Sequence, residues 1–395
     1  MTEKPKLKKT VYILGAGFSN PAGGPDQSRL MKLIFDLPEL NPQTKSAKKA
    51  FRSFLVEVMR LDPMTMSAFS LEDIYTPIDR CLADNVPFRG QTVEQLQRLR
   101  SQMEYLVSLA IDKSFDAKNK KDALAGSYIE EFARHLARLA SIRATKAKTE
   151  SLASAKAYDP FSIISLNWDM ALDNALFEAL NVNDAYEERD YAPIGVVDYC
   201  CYISSLKKHA PRIQSGLWTL GAQGYNVKLL KIHGSMNWLQ CSNCQRLFVD
   251  FNEKKTIPNF LQPGECRHCF RHHIKARLQG SLVMPTFLKD LSNFQIKLIW
   301  QNAGVELMEA DKLVFVGYSL PHADFEFKQL LARMVRDDAE LEVVLYHSNK
   351  AASKRSYEQE VDRYKQFFGT RKITSRGDGV EKFVRRLTAA AASPV

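Results

Sequence analysis

Residues 8–24 read KKTVYILGAGFSNPAGG, and this stretch decides how the rest of the chain is interpreted. Val11 to Leu14 form a short apolar run that is typical of a buried strand, and a glycine-rich turn follows it directly. The backbone N–H groups of such a turn, with the N-terminus of a following helix, can hold a pyrophosphate. Asn20 stands where the usual fingerprint has its third glycine, so the pattern also fits a turn that only redirects the chain.

Further strand-like runs occur later in the chain and alternate with helical segments. They read FSIISLNWD, VKLLKIHGS, SLVMPTF, KLVFVGYSL and LEVVLYHSN, and several are apolar throughout. Continuous apolar strands are expected in a parallel sheet that helices cover on both faces. The order of elements therefore predicts an α/β fold with a Rossmann-like doubly wound parallel sheet.

Four of the seven cysteines form two C-x-x-C pairs. The pairs are Cys241 with Cys244 and Cys266 with Cys269, and 21 residues separate them. This spacing is typical of a structural Zn²⁺ site, in which four thiolates leave no open coordination position. We therefore predict a small zinc-ribbon lobe that the metal holds together; the alternative is a chance pairing of cysteines.

Polar residues follow two of the strand-like runs. Asn167 and Asp169 lie in SLNWD, and His233 lies in KIHGS. Ligands of open α/β sheets bind outside the carboxyl ends of the strands, so we expect these three side chains to meet near the glycine turn. Taken singly, each also fits an ordinary strand-end residue that is hydrogen-bonded within the chain.

In this combination the chain resembles the sirtuin family. The matching segments occur in family order: GAGFS, SLNWD, KIHGS with the paired C-x-x-C, VGYSLP and LYHSN. They lie roughly within residues 8–25, 160–175, 225–290 and 310–350, about a third of the chain. The resemblance implies that the chain uses NAD⁺ as a substrate.

The resemblance also assigns roles to individual residues. Asn167 would position the nicotinamide ribose and a water molecule, and His233 would act as the general base. The binding residues that it implies, beginning with the glycine turn as the pyrophosphate site, are Gly15, Ala16, Gly17, Phe18, Ser19, Asp169, Gly317, Ser319, Asp324 and Asn349.

Departures from the family indicate which activity to expect. Deacetylating sirtuins carry G-I-P-D-F-R after the first turn, whereas this chain reads GGPDQSRL, and NWD replaces Q-N-I-D. The segment GYSLP resembles the divergent bacterial group whose members hydrolyse NAD⁺ in anti-phage defence. The resemblance thus implies an NAD⁺ hydrolase that yields ADP-ribose and nicotinamide, often beside a partner such as a HerA-type hexameric ATPase. The alternatives are an NAD-dependent protein-lysine deacylase and an inactive nucleotide-binding scaffold subunit.

The region between the first strand and FSIISLNWD has a helical pattern. Apolar residues recur at helical spacing along 92–111 and 127–142, whereas residues 143–160 are polar and favour a linker. This helical region is a candidate surface for homo-oligomerisation. We predict a Rossmann-like domain from residues 1–25, 157–235 and 281–395, a large helical insertion at 26–156, and a zinc-binding lobe at 236–280.

Composition excludes some classes of protein. Hydrophobic residues make up 45% and charged residues 25% of the chain, as in ordinary soluble domains, and no apolar run is long enough to span a bilayer. We therefore expect a cytoplasmic protein without a membrane partner. The net charge of +10 permits an anionic partner, but the basic residues are mostly dispersed, so direct nucleic-acid binding is not expected.

Overall fold

The structure is a computed structural model that describes residues 8–39, 41–149, 160–181, 195–206, 225–250, 257–262, 264–287, 289 and 291–392. The described strands are β1 (Thr10–Leu14), β2 (Phe161–Ser165), β3 (Gly195–Asp198), β4 (Ile203–Ser205), β5 (Tyr225–Lys231), β6 (Gly234–Cys241), β7 (Leu247–Val249), β8 (Leu278–Leu282), β9 (Lys312–Val316), β10 (Glu340–Val344) and β11 (Ile373–Arg376).

The described α-helices are α1 (Ala16–Ser19), α2 (Gln27–Asp36), α3 (Pro42–Ser53), α4 (Leu71–Asp84), α5 (Val93–Lys121), α6 (Ser127–Thr149), α7 (Ala171–Asn181), α8 (Arg267–Phe270), α9 (Phe294–Glu309), α10 (Phe325–Met334), α11 (Ala351–Phe368) and α12 (Val380–Ala392). A π-helical turn spans Phe54–Val58, and short 3₁₀ turns span Asn20–Ala22, Met66–Ala68 and Ile257–Phe260.

The main sheet confirms the predicted α/β fold. Seven parallel strands lie in the order β11-β10-β9-β1-β2-β5-β3. In the register of β1, Leu14 lies opposite Ser165 of β2 on one side and Val316 of β9 on the other. The chain moves outward in both directions from this central pair, so the carboxyl ends of β1 and β9 form a topological switch point. A crevice for a ligand is expected at such a point.

Helices cover both faces of this sheet. Successive residues of a strand point to opposite faces. Tyr12 packs edge-on against Phe132 of α6, with ring centroids 5.3 Å apart. Phe315, which is in register with Ile13, packs edge-on against Tyr364 of α11 at 5.0 Å. The strands are therefore buried on both sides, which explains their continuous apolar sequences.

A second, smaller sheet lies beside the main one, in the order β4-β7-β6-β8. The predicted strand SLVMPTF contributes only Ser281 and Leu282, at the end of β8, to this smaller sheet. Helices α2 to α5 and the cysteine lobe share one hydrophobic core with it, whereas α6 packs into the core of the main sheet. The cores thus cross the predicted domain boundaries, which themselves stay a prediction.

The predicted linker is partly helical. Helix α6 continues to Thr149, so residues 143–149 extend the helix, and residues 150–159 lie outside the described part of the chain. Within the described residues, no helix has both the length and the apolar character that crossing a bilayer requires.

The turns after β1 and β9 pack directly against each other. Gly17 donates its backbone N–H to the carbonyl of Gly317 at 2.8 Å, and Gly15 donates to Val316 at 3.1 Å. Gly317 has a φ of +62°, and a Cβ on it would lie 2.2 Å from the backbone nitrogen of Phe18. A residue with a side chain cannot occupy this position unless one of the two turns moves.

This contact predicts that Gly317→Ala is strongly destabilising. The added methyl group meets backbone atoms in a left-handed conformation, so we expect a loss of about 2–4 kcal/mol in the free energy of unfolding. Gly90→Ala is the matched control, because Gly90 also has a positive φ, of +84°, but open space around it. Its loss should be roughly 1–2 kcal/mol, from backbone strain alone. Equal losses in urea titrations of the two variants would show that the turns do not need to touch.

Candidate functional site

Asn167 joins the end of β2 to the glycine turn. Its side-chain Nδ2 donates to the carbonyl of Gly15 at 2.9 Å and to Ser19 Oγ at 3.2 Å. Ser19 is buried, and its side chain lies close to the carboxyl group of Asp169, whose pKa it lowers. Asn167, Ser19 and Asp169 therefore form one polar network at the carboxyl ends of β1 and β2.

His233 lies two residues after β5, in the turn that leads into β6. Its Nδ1 is 3.2 Å from the carbonyl oxygen of Leu166, which can only accept a hydrogen bond, so Nδ1 carries the proton in the neutral ring. The opposite nitrogen, Nε2, is buried and has no hydrogen-bond partner among the described residues. It lies 3.7 Å from Asp324 Oδ1. The imidazole is thus held at Nδ1, and Nε2 keeps a lone pair that can accept a proton.

Asp324 belongs to a small charged cluster beside this nitrogen. Tyr318 donates its hydroxyl to Asp324 Oδ2 at 3.0 Å. Lys289 Nζ lies 3.3 Å from Asp324 Oδ1 and 3.4 Å from Glu326 Oε2, and the lysine side chain is only 1% exposed. Sequence reasoning missed Lys289 and Tyr318, since the lysine lies in an irregular segment and neither residue type marks a motif.

The surroundings of His233 favour its neutral form. Burial lowers the pKa of His233 below its ordinary value, the Asp324 carboxylate partly opposes this shift, and the Lys289 cation adds to it. The imidazole is therefore neutral at pH 7, as a general base must be.

The backbone of Asp169 is held by a buried lysine that also forms an ion pair with Asp173. Lys231 is fully buried, and its Nζ donates to the carbonyl of Asp169 at 2.6 Å and pairs with Asp173 Oδ2 at 2.8 Å. Tyr199 donates to the other oxygen of Asp173 at 2.8 Å. Burial raises the pKa of the Asp169 carboxyl, although the Lys231 cation partly lowers it. This arrangement fixes the segment that carries Asn167.

The glycine turn uses several of its amides within the protein. Besides the two bonds to the β9 turn, Phe18 donates its N–H to the carbonyl of Gly15 at 2.9 Å, and its ring is buried against Phe132. Three of the four amides predicted to hold a pyrophosphate therefore already have acceptors. A bound dinucleotide would compete with these bonds, and the pyrophosphate role of Gly15, Ala16, Gly17 and Phe18 stays a prediction.

The remaining predicted binding residues lie in the segments that follow β9 and β10. Gly317 donates its N–H to the carbonyl of Val344 at 2.8 Å, and Arg363 donates to the carbonyl of Ser319 at 3.0 Å. Asn349 follows β10 and is exposed, and no described contact joins it to the other site residues. Adenosine binding by these residues stays a prediction.

A cleft of about 600 Å³ opens beside Asp169, between α5, α6 and α7. Its end near the sheet is lined by Asp169, Met170 and Met236. Further along, its walls carry four more carboxylates and one cationic side chain, from Asp112, Asp116, Glu130, Glu178 and Arg134. This excess of negative charge opposes phosphate groups, so a pyrophosphate is expected at the glycine turn rather than in the cleft.

The four predicted metal ligands come together in the cysteine lobe. The Sγ atoms of Cys241, Cys244, Cys266 and Cys269 all lie within 4.8 Å of one another, with closest pairs at 3.6 Å and 3.8 Å. Tetrahedral Zn²⁺ with bonds of about 2.3 Å separates its sulfur ligands by about 3.8 Å. The arrangement therefore fits a metal ion and is consistent with zinc. Strand β6 connects this cluster to His233, which immediately precedes it.

No protein-family model and no curated protein matched the chain. Among solved structures, the structure of Sir2Tm bound to a propionylated peptide is similar over 97% of this chain and 92% of that chain. The two sequences are 12% identical, and the TM-score is 0.35. This similarity is too low to indicate an activity.

The cysteine geometry predicts about one zinc ion per chain. In Cys244→Ser, metal content should fall, and the thermal midpoint should drop by on the order of 5–10 °C, because metal binding stabilises the fold. Cys81→Ser is the control, since Cys81 is a half-buried cysteine outside the cluster. Elemental analysis and calorimetry give both values. A Cys244→Ser protein with unchanged metal content would contradict the assignment.

The charges around His233 predict opposite shifts in two variants. Asp324→Asn removes a carboxylate that favours the imidazolium, so the pKa of His233 should fall. Lys289→Met removes a cation that disfavours the imidazolium, so this pKa should rise. An NMR titration of the histidine ring resonances measures both shifts, with the other histidines as internal controls. Shifts of the same sign would show that these side chains do not set the charge of His233.

Proposed function

We propose that this protein is an NAD⁺ hydrolase that cleaves NAD⁺ to ADP-ribose and nicotinamide. The observation that carries the proposal is that Asn167 bonds to the glycine turn, while His233 contacts the residue before Asn167 and faces Asp324. They lie in the segments that follow β2, β5 and β9, around the switch point where open α/β sheets bind their ligands.

The site suits cleavage of the bond between nicotinamide and ribose. As nicotinamide leaves, positive charge develops on the ribose, and a water molecule must attack the same carbon. His233 can accept a proton at Nε2, and the resulting imidazolium faces the Asp324 carboxylate at 3.7 Å. Asp324 thus stabilises the charged form only when it is produced, as in other pairs of a base and an orienting carboxylate.

Asn167 and Asp169 would position the substrate. The Nδ2 of Asn167 is already fixed by Gly15 and Ser19, so its Oδ1 can accept a hydrogen bond from a water molecule or a ribose hydroxyl. Asp169 would bind a ribose hydroxyl or the carboxamide. Holding the reactants in this way lowers the entropic barrier to attack.

Water rather than an acyl-lysine is the proposed nucleophile. The chain reads GGPDQSRL where deacetylating sirtuins carry a Phe and an Arg. The aligned positions therefore lack the two side chains that cover the nicotinamide in those enzymes. On the same resemblance, we propose that the protein depletes NAD⁺ in anti-phage defence, beside a HerA-type ATPase and as a homo-oligomer through its helical region. An uncontrolled hydrolase would be toxic, so its basal activity should be low.

The test is an NAD⁺ turnover assay on the purified protein, alone and with the product of a neighbouring gene. Wild type should release nicotinamide and ADP-ribose without any acylated peptide. His233→Ala should lose roughly 10²–10⁴-fold in rate, as expected when a general base is removed. Asn167→Asp should also lose activity, because it places an acceptor opposite the carbonyl of Gly15.

His135→Ala serves as the matched control, since His135 is a half-buried histidine on α6. It should keep wild-type turnover. Equal rates for His233→Ala and wild type would contradict the site assignment. Turnover only in the presence of an acyl-lysine peptide would replace the proposal with a deacylase.

A further inference from the structure

The cysteine lobe carries a strongly basic run. Residues 266–277 read CRHCFRHHIKAR and include four arginine or lysine residues, three histidines and no acidic residue. Four of the chain's ten net positive charges therefore lie within these twelve residues, although most other basic residues are dispersed.

Most of this run faces solvent, including two of its apolar side chains. Phe270 is 64% exposed and Ile274 is 45% exposed. The side chains of Arg271, His272, His273, Lys275 and Arg277 are exposed around them. Planar rings and cations thus lie close together in one short segment, residues 270–277, which we call the basic knuckle.

Backbone hydrogen bonds close the knuckle at its base. Cys266 donates its N–H to the carbonyl of Ala276 at 2.7 Å, and Leu278 donates to the carbonyl of Gly264 at 2.8 Å. Inside this closure, Ile274 donates to the carbonyl of Cys269 at 3.0 Å. Two of the four clustered cysteines hold its base. A ligand would therefore meet a surface that is already ordered, which lowers the entropic cost of binding.

The cations of the knuckle are available to an external anion. Arg267, just before it, is committed elsewhere, since it donates to Ser205 and packs over the ring of Phe248 at 5.5 Å. In contrast, across the described parts of the chain no ion pair joins Arg271, Lys275 or Arg277 to a carboxylate. No internal ion pair therefore has to be broken before these three side chains bind a ligand.

We propose that the basic knuckle binds single-stranded nucleic acid. The phosphates would contact Arg271, Lys275 and Arg277, and a base would stack on the exposed ring of Phe270. Proteins that bind single strands without sequence preference combine these two features, cations along the backbone and planar rings for the bases. An acidic peptide could pair with the three cations but has no base to stack on the ring of Phe270. It would therefore account for the exposed charges but not for the exposed ring. This proposal is independent of NAD⁺ hydrolysis.

The basic knuckle departs from the dispersed charge that the sequence led us to expect. Net charge over the whole chain gave no reason to expect a nucleic-acid partner, because dispersed charges solvate a surface. The fold changes this by ordering one run of cations on a segment closed at its base and leaving an aromatic ring exposed among them.

The test is fluorescence anisotropy with a labelled oligo-dT of about 20 nucleotides, long enough for one site. The triple variant R271A/K275A/R277A should bind at least about tenfold more weakly at low salt. Because each phosphate contact contributes about 0.7 to the salt slope for a single strand, the slope of log K against log salt should become shallower by about 2.

The matched control is K45A/K49A/R52A, which removes the same charge from exposed positions of α3. It should bind like wild type, and an equal loss in both triples would show an effect of net charge alone and overturn the proposal. Phe270→Ala should weaken binding by about tenfold with an unchanged salt slope, as expected for a lost stack.

Competition defines the class of ligand. Polyglutamate or anionic vesicles that displace the oligonucleotide from the knuckle at equal charge concentration would also overturn the proposal, whereas single-stranded RNA should compete and duplex DNA should compete poorly. Zinc content and thermal midpoint of each variant must match wild type, which separates a lost contact from a misfolded lobe.

Discussion

Two glycine turns that touch through their backbones hold together the strand ends that carry the candidate site. The N–H of Gly17 bonds to Gly317, and neither residue has room for a side chain at the point of contact. This contact fixes the ends of β1 and β9 against each other. These two strands form the switch point, from which the later strands are added to opposite sides of the sheet. Asn167 then bonds to the carbonyl of Gly15, which ties the end of β2 to the same turn. The position of the polar side chains follows from this backbone packing.

The candidate site is also coupled to the cysteine lobe. His233 ends the segment after β5, and β6 begins at the next residue and runs to Cys241, one of the four clustered cysteines. The carbonyl of His233 accepts a hydrogen bond from Val283, just after β8 of the same lobe. The histidine therefore lies where the two sheets join, and a metal ion in the lobe would help to hold it. On one side of this junction the lobe carries the basic knuckle, and on the other the main sheet carries the site.

The sequence predicted the parallel sheet and the cysteine cluster because both leave strong local signals: apolar runs and paired C-x-x-C spacing. It also placed Asn167 and His233 at strand ends that the fold brings together. It could not predict β11, whose residues Ile373–Arg376 are largely exposed and show no apolar run. Lys289 was missed since its contacts with Asp324 and Glu326 are set by tertiary packing. The glycine pattern was ambiguous because a close backbone neighbour and a bound phosphate require the same small residue.

The most direct measurement is a crystal structure of the protein with NAD⁺ bound, determined for a variant too slow to turn it over. If the strand-end site hydrolyses NAD⁺, the nicotinamide ribose should lie at the carboxyl ends of β1, β2 and β5, with Nε2 of His233 within hydrogen-bond reach of a ribose hydroxyl or of the attacking water. A dinucleotide bound elsewhere, or a ribose with no contact to Asn167 or His233, would contradict the proposed chemistry.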